Sequence, residues 1–262
     1  SISNSFSENS IPLEWTGDCS RFLISEDNRL QLNDPDKLGK SYVAFPSTAM
    51  NNAEWSLSME LQFRPSSSNY TRFFLCSDSP VLSEALNGYF LQVGNTNRQI
   101  LLYRMSNGST KILGRSIEDR LDRSSISLSL KVIRSEEGEW RVYSRLNDEI
   151  SFTEEFVVKD TMFENSFFSG IYCKYSKTNS DKFYFDDLYI DGTALSDFIA
   201  PKVEKFSISD SSIILQLSER IDCGAFSYEL QNLSYYESYW NSQCNTLSIL
   251  LHERLEQGVR YG

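Results

Sequence analysis

Histidine is almost missing from this sequence: His252 is the only one in 262 residues. That excludes His-based catalytic triads, structural zinc of the usual kinds and most transition-metal sites. The five cysteines form no C-x-x-C pair. Glycine (12) and proline (6) are too scarce for a low-complexity chain. There is no basic run; the net charge is -11, with acids spread along the chain. Nucleic acid and anionic membrane are therefore poor partners, since both select for clustered Lys and Arg, and diffuse acidity by itself serves solubility. No apolar run approaches the ~18 residues of a membrane span. No signal peptide is visible, and the polar opening Ser1-Ile2-Ser3-Asn4 reads as a mature or trimmed start.

Helical periodicity is nearly absent as well. In its place stand short alternating runs separated by turn clusters, the pattern of an antiparallel all-β protein. The alternation predicts strands at Arg29-Leu32, Ser41-Phe45, Trp55-Phe63, Thr71-Ser77, Gly88-Val93, Gln99-Met105, Lys111-Gly114, Ser125-Ile133, Trp140-Leu146, Phe167-Tyr175 and Lys182-Ile190. Asn107-Gly108 suits a tight hairpin between two of them. So many strands before Gly192 point to a two-sheet jelly roll. Trp15, Trp55 and Trp140 are expected in its core, because large aromatics dominate sandwich interiors.

The composition changes after Asp191-Gly192, which sets a first domain at 1–192, a linker at 193–200 and a second domain at 201–262. The second domain is expected to carry strands at Val203-Ile208, Ser212-Leu217, Phe226-Leu230 and Thr246-Leu251, with an aromatic patch at Tyr235, Tyr236, Tyr239 and Trp240. An immunoglobulin-type sandwich takes roughly 100 residues, so this domain reads as incomplete. Cys76 and Cys173 lie in apolar strands, where a thiol behaves as a small hydrophobe. Cys223 and Cys244 are close enough in sequence to pair, or to remain free. Asn69-Tyr70-Thr71, Asn107-Gly108-Ser109 and Asn232-Leu233-Ser234 match the glycosylation sequon, a match that polar β-proteins make by chance.

Several segments resemble bacterial surface proteins with an amino-terminal concanavalin A-like jelly roll. They are Phe6-Ser7-Glu8, Trp15-Thr16-Gly17-Asp18 with Phe22, Leu30-Gln31-Leu32-Asn33, Arg64-Pro65-Ser66-Ser67-Ser68-Asn69, Leu86-Asn87-Gly88-Tyr89 with Gln92 and Gly94, Leu102-Tyr103-Arg104, and Asp181 through Asp187. Pro201-Lys202-Val203 through Ser218-Glu219 resembles the start of the immunoglobulin-like module that follows such jelly rolls. The resemblance implies a secreted or cell-surface placement and transfers no activity. In that family a lamin-tail domain and a sorting tail often follow; neither is recognisable here.

Phe183-Tyr184-Phe185-Asp186-Asp187-Leu188-Tyr189-Ile190 places two adjacent carboxylates in an aromatic strand. Buried acids need neutralising, and jelly-roll modules of this kind often hold a structural calcium between the first strand and a closing strand. Glu8, Asp186 and Asp187 are the candidate ligands. Strict alternation would turn Asp186 and Asp187 to opposite faces and make Asp187 the leading ligand. Exposed acids, or acids bonded to loop amides, are the plainer alternative.

Alternation also puts Arg72, Gln92, Arg104, Tyr172 and Lys174 on one sheet surface, with Phe73, Leu91, Val93 and Cys173 facing the core. Rings stack on sugar C–H faces while Arg, Gln and Lys bond hydroxyls, so this surface suits a glycan. The same residue types also make an ordinary solvated sheet, and a one-residue slip reverses any assignment. No Glu-x-Asp-x-x-Glu strand motif supplies the carboxylate pair of a glycosidase, so hydrolysis is not expected. The sequence-level expectation is a non-catalytic secreted or surface protein binding glycan or another surface polymer. Its alternatives are a structural adhesive or scaffold with protein partners and, less favoured, a glycoside hydrolase-like domain.

Overall fold

The computed structural model describes residues 1–8, 10–194, 201–218, 221, 236–242 and 244–252. The chain divides into two units, Ser1–Ser196 and Asp197–Gly262.

In chain order the strands described in the first unit are β1 (Ile2–Asn4), β2 (Thr16–Gly17), β3 (Phe22–Ile24), β4 (Leu30–Leu32), β5 (Gly39–Pro46), β6 (Asn51–Leu61), β7 (Tyr70–Ser77) and β8 (Gly88–Val93). There follow β9 (Ile100–Ser106), β10 (Ser109–Arg115), β11 (Ile126–Arg134), β12 (Glu139–Leu146), β13 (Thr153–Lys159), β14 (Phe168–Tyr175) and β15 (Phe183–Thr193). An eight-stranded sheet has the order β13-β12-β11-β6-β15-β4-β3, with β1 also paired to β15. A seven-stranded sheet has the order β10-β9-β8-β7-β14-β5-β2. The opening strand lies antiparallel to the closing one, with Asn4 opposite Leu188.

Side-chain alternation explains the layering. Along β6, Ala53, Trp55, Leu57, Met59 and Leu61 are buried while Glu54, Ser56, Ser58 and Glu60 are partly exposed. Trp55 and Trp140 stack in the interior at 5.6 Å, and Trp15 stacks on Phe45 at 4.5 Å. Fully buried aromatics of this size are each worth roughly 3–5 kcal/mol against alanine.

The seven-stranded sheet differs in one respect: all of β8 and most of β7 are buried on both sides. Its outer face carries a second apolar cluster, including Phe74, Phe90 and Tyr172, packed with Leu82 and Leu86 from the segment between β7 and β8. That segment is tied to the β9–β10 hairpin, where Asn107 N donates to Asn87 Oδ1 at 2.9 Å. The hairpin is the tight one expected from Asn107-Gly108: both residues have positive φ, +47° and +83°, and Ser106 faces Ser109 across the turn.

Strands β1, β2, β3 and β13 were not anticipated. The first three are very short, and β13 is an edge strand whose Glu154 and Glu155 hide its alternation. In the second unit β16 (Val203–Ile208), β17 (Ser212–Leu217), β18 (Tyr236–Trp240) and β19 (Thr246–Leu251) form a sheet of order β16-β17-β19-β18. Strand β18 takes up part of the expected aromatic patch, and Tyr236 and Trp240 pack against Leu247, Ile249 and Leu251. The strand expected at Phe226-Leu230, together with Tyr235 and Cys223, lies outside the described residues. Cys244 is disulfide-bonded, whereas Cys19, Cys76 and Cys173 are free thiols. Burial pushes the Cys76 thiol up to about 12, so it behaves as a hydrophobe.

Candidate functional site

Antiparallel register brings one row of side chains across the outer face of the seven-stranded sheet. Tyr42 lies opposite Tyr172, Tyr172 opposite Arg72, Arg72 opposite Gln92, Gln92 opposite Leu101, and Leu101 opposite Arg115. In the adjoining row Lys174 lies between Lys40 and Tyr70. Arg72 is the hub. Its guanidinium carbon sits 4.6 Å from the Phe90 ring centre and 5.3 Å from those of Tyr70 and Tyr172. Arg72 Nε donates to Gln92 Oε1 at 2.9 Å, and Gln92 Nε2 donates onward to the Gly94 carbonyl at 2.8 Å. Lys174 Nζ donates to the Ser67 carbonyl at 3.1 Å and stands 5.5 Å over the Tyr70 ring.

Burial separates the supporting residues from those that solvent reaches. Gln92 and Tyr172 are only 6% and 4% exposed, so they hold the site and present little of it. Burial pushes the Tyr172 phenol up to about 12. Arg72, Lys174, Tyr42 and Tyr103 remain half-exposed. Burial raises the Tyr103 phenol, an effect that Arg72 and Arg115 oppose. Tyr42, at the other end of the row, is raised by burial and by Asp18.

Arg104 does not belong to this face, contrary to the sequence expectation. Along β9 the residues facing the main core are Ile100 and Leu102, and Arg104 shares their parity; Leu101, Tyr103 and Met105 face outward. The expectation was one residue out of register, which inverts the assignment. Arg104 forms an ion pair with Asp160, whose Oδ1 also accepts from the Tyr89 hydroxyl at 2.6 Å. Burial raises the Tyr89 phenol, and its bond to Asp160 adds to that. With Trp140 Nε1 donating to the Asp160 carbonyl at 3.1 Å, this cluster braces the end of the sandwich.

The acid pair on β15 departs from the expected alternation too. Asp187 has φ +50°, and the pairing with β6 shifts register between Asp186 and Tyr189. This bulge inserts an extra residue, so Phe183, Phe185, Leu188 and Ile190 all face the core. Asp186 and Asp187 consequently share the outer face. Both line a cavity of 270 Å³ with Arg29, Ser58, Glu60, Ser129 and Tyr184. Arg29 pairs with Glu60 at 2.5 Å and Asp27 at 2.7 Å, and lies 4.4 Å over the Tyr184 ring. Bonds from Gln62 and then Arg29 hold the Glu60 carboxyl below its usual range against a burial cost. Burial raises the Asp186 carboxyl.

Glu8 does not join these acids. It is exposed and lines a different cavity, with Asn4, Ser7, Ser10, Pro12 and Glu14 among its walls. Among the described residues no group of three or more His, Cys, Asp or Glu side chains is placed to hold a metal ion. Calcium takes six to eight oxygens. Here one Asp187 oxygen accepts from Ser58 Oγ at 3.2 Å, and Asp186 Oδ1 accepts from the Asp187 N–H at 2.8 Å. The expected set of Glu8, Asp186 and Asp187 therefore does not fit a calcium ion as a single site.

Residue-type reasoning placed Tyr172 beside Arg72 but missed the other two caging rings, Tyr70 and Phe90, and the flanking Lys40 and Arg115. It also missed Arg29 and Glu60. A usable signal existed for Arg115: the Asn107-Gly108 turn fixes the pairing of β9 with β10, and counting from it, with one bulge before Gly114, reaches Arg115 opposite Leu101.

Neither a protein-family model nor a curated protein matches this sequence. Solved structures do resemble the fold. The exoplasmic/lumenal domain of VIP36 in its Ca2+/Man3GlcNAc-bound form matches with a TM-score of 0.56 at 13% identity, over 76% of this chain and 90% of that one. The Ca2+/Man-bound form of that domain gives 0.56 at 11% identity, over 72% and 87%. The legume lectin-like domain from Entamoeba histolytica gives 0.50 at 10% identity, over 68% and 89%. At such identities the likeness shows the fold alone. The chain is an all-β protein with a concanavalin A-like, legume-lectin-like sandwich.

Proposed function

We propose that the first unit is a non-catalytic glycan-binding module that takes its ligand on the outer face of the seven-stranded sheet. The observation that carries this reading is the Arg72 guanidinium, fixed among Tyr70, Phe90 and Tyr172 with only its Nε bonded to a described residue. A planar donor fork preorganised among rings loses little freedom on binding and presents both Nη groups to hydroxyls. Half-exposed Tyr42 and Tyr103 on the same face offer ring surface for sugar C–H groups. The sugar-bound lectin-type neighbours support a glycan partner at the level of the fold.

The carboxylates argue against hydrolysis. No Asp or Glu occupies an outward strand position on this face. On the opposite sheet Glu60 is committed to Arg29 and Gln62, Asp187 accepts from Ser58 Oγ, and Asp186 accepts from the Asp187 N–H. The resemblance to bacterial surface proteins supports a secreted or cell-surface placement, with the second unit as an immunoglobulin-like spacer. A glycan array tests the reading: the 262-residue chain binds a set of polysaccharides and Arg72→Ala loses at least roughly tenfold of that binding. Absence of binding to every polysaccharide would remove the reading and favour a scaffold with protein partners.

A further inference from the structure

The outward strand positions of the seven-stranded sheet hold four charged side chains, Lys40, Arg72, Arg115 and Lys174, and all are cationic. None forms an ion pair with a described residue, whereas Arg29, Arg98, Arg104, Arg120 and Arg141 each do. In a chain of net charge -11 this is a concentration of unneutralised positive charge. Two carboxylates approach it, Asp18 and Glu84, and both stand at the Tyr42 end, where they raise that phenol. Asp18 is itself engaged by the Tyr42 N–H at 3.1 Å.

We infer that this face selects saccharides carrying anionic groups, of the uronate type, over neutral ones. The inference rests on the glycan-binding reading and names the ligand class for the same face. A carboxylate matches the paired Nη donors of Arg72 in bidentate geometry, and the surrounding rings limit the competing hydration of the guanidinium. The row from Arg72 through Gln92 and Leu101 to Arg115, and the neighbouring Lys174 and Lys40, offer further charges to an extended polymer bearing one anionic group per sugar. Neutral sugars would use the same hydroxyl donors but gain nothing from the unpaired cations.

The test measures binding of the whole chain to oligogalacturonate, to a sulfated oligosaccharide and to a neutral gluco-oligosaccharide of equal length, at low and high salt. Oligogalacturonate is expected to bind best, to weaken roughly tenfold as salt screens the cations, and to lose a similar factor in Arg72→Gln. Arg115→Gln, an exposed position whose loss leaves the fold intact, lowers affinity by a smaller factor. Equal binding of the neutral sugar, or salt-insensitive binding, overturns the inference while leaving glycan binding in place. Preference for the sulfated sugar at the expense of the uronate overturns the uronate assignment. Failure of all three removes the glycan reading itself, and Arg72-dependent binding to anionic lipid vesicles in their place assigns the face to a membrane surface.

Discussion

The two sheets of the first unit expose outer faces built on the same alternation yet put to different physical ends. On the eight-stranded sheet the outward positions carry both signs and several charges neutralise one another locally, although Lys131 and Arg145 lie over the Phe152 ring with no ion pair to a described residue. Arg29 bridges Asp27 and Glu60, and Arg141 bridges Glu139 and Glu154. On the seven-stranded sheet the outward cations have no carboxylate partners among the described residues, and rings with Leu82 and Leu86 pack on the same face. Exposed ion pairs are worth little to stability, about 0–1 kcal/mol each, so pairing on the first face is a matter of solvation. Leaving cations unpaired beside aromatic rings keeps donors available for an incoming ligand. The eight-stranded face mixes acids such as Glu60, Asp186 and Asp187 with its cations, whereas every charge at an outward strand position of the seven-stranded face is positive.

Two arginines of the seven-stranded sheet, on β7 and β9, give the strongest way to break this comparison. Arg104 faces inward and pairs with Asp160, which is 8% exposed. Removing one partner of a buried pair strands the other charge, so Arg104→Ala is expected to cost about 3 kcal/mol in denaturant unfolding. Asp160 keeps the Tyr89 hydroxyl, which limits the damage. Arg72→Ala removes a bond to a neutral amide and is expected to cost about 1 kcal/mol while abolishing most ligand binding. A stable Arg104→Ala protein with lost binding would return Arg104 to the ligand face and invalidate the register argument.

Next in size is Leu82, which is 2% exposed and packs over the seven-stranded sheet. A Cβ placed on Gly170 would come within 2.6 Å of its Cδ1, so the contact is close. Leu82→Ala is expected to lower stability by about 2 kcal/mol. Ser58→Ala, on the outer face of the other sheet, should change it by less than about 0.5 kcal/mol. Equal effects at the two positions would show that the apolar layer over the seven-stranded sheet contributes nothing distinctive.

Alternation and turn residues made the architecture legible. The strand spans from Gly88 to Val93 and from Val203 to Ile208 agree with the observed β8 and β16. Face assignments were less secure, because parity must be carried along each strand and a single irregularity resets it. Arg72, Gln92, Tyr172 and Lys174 sit on strands whose register near those residues is regular, and they lie together. Arg104 was assigned one residue out, although β9 itself is regular from Ile100 onward. The pair at Asp186 and Asp187 failed differently. An aspartate at φ +50° is a backbone state that residue type alone does not announce. Of the cage around Arg72 only Tyr172 was legible, for a third reason: its rings come from three strands, β7, β8 and β14, and only long-range register brings Tyr70 and Phe90 to it.

The smallest effect addresses the acid pair and its expected calcium. Burial raises the Asp186 carboxyl above its ordinary range, and the neighbouring Asp187 charge acts in the same direction. An acid raised in the native state holds its proton more firmly folded than unfolded. The cost to stability is therefore absent below the unfolded-state value, grows as pH climbs through it, and is complete once pH exceeds the folded-state value. Asp186→Asn should raise the melting temperature slightly near pH 7, by the equivalent of no more than about 0.5 kcal/mol, and should do nothing at about pH 3, where the acid is already neutral. A calcium ligand behaves in the opposite sense: its replacement by Asn weakens the protein in added calcium and is silent in chelator. Melts of both proteins with calcium and with chelator separate the two cases, because a cation held there would turn the removal of one carboxylate from a gain into a loss.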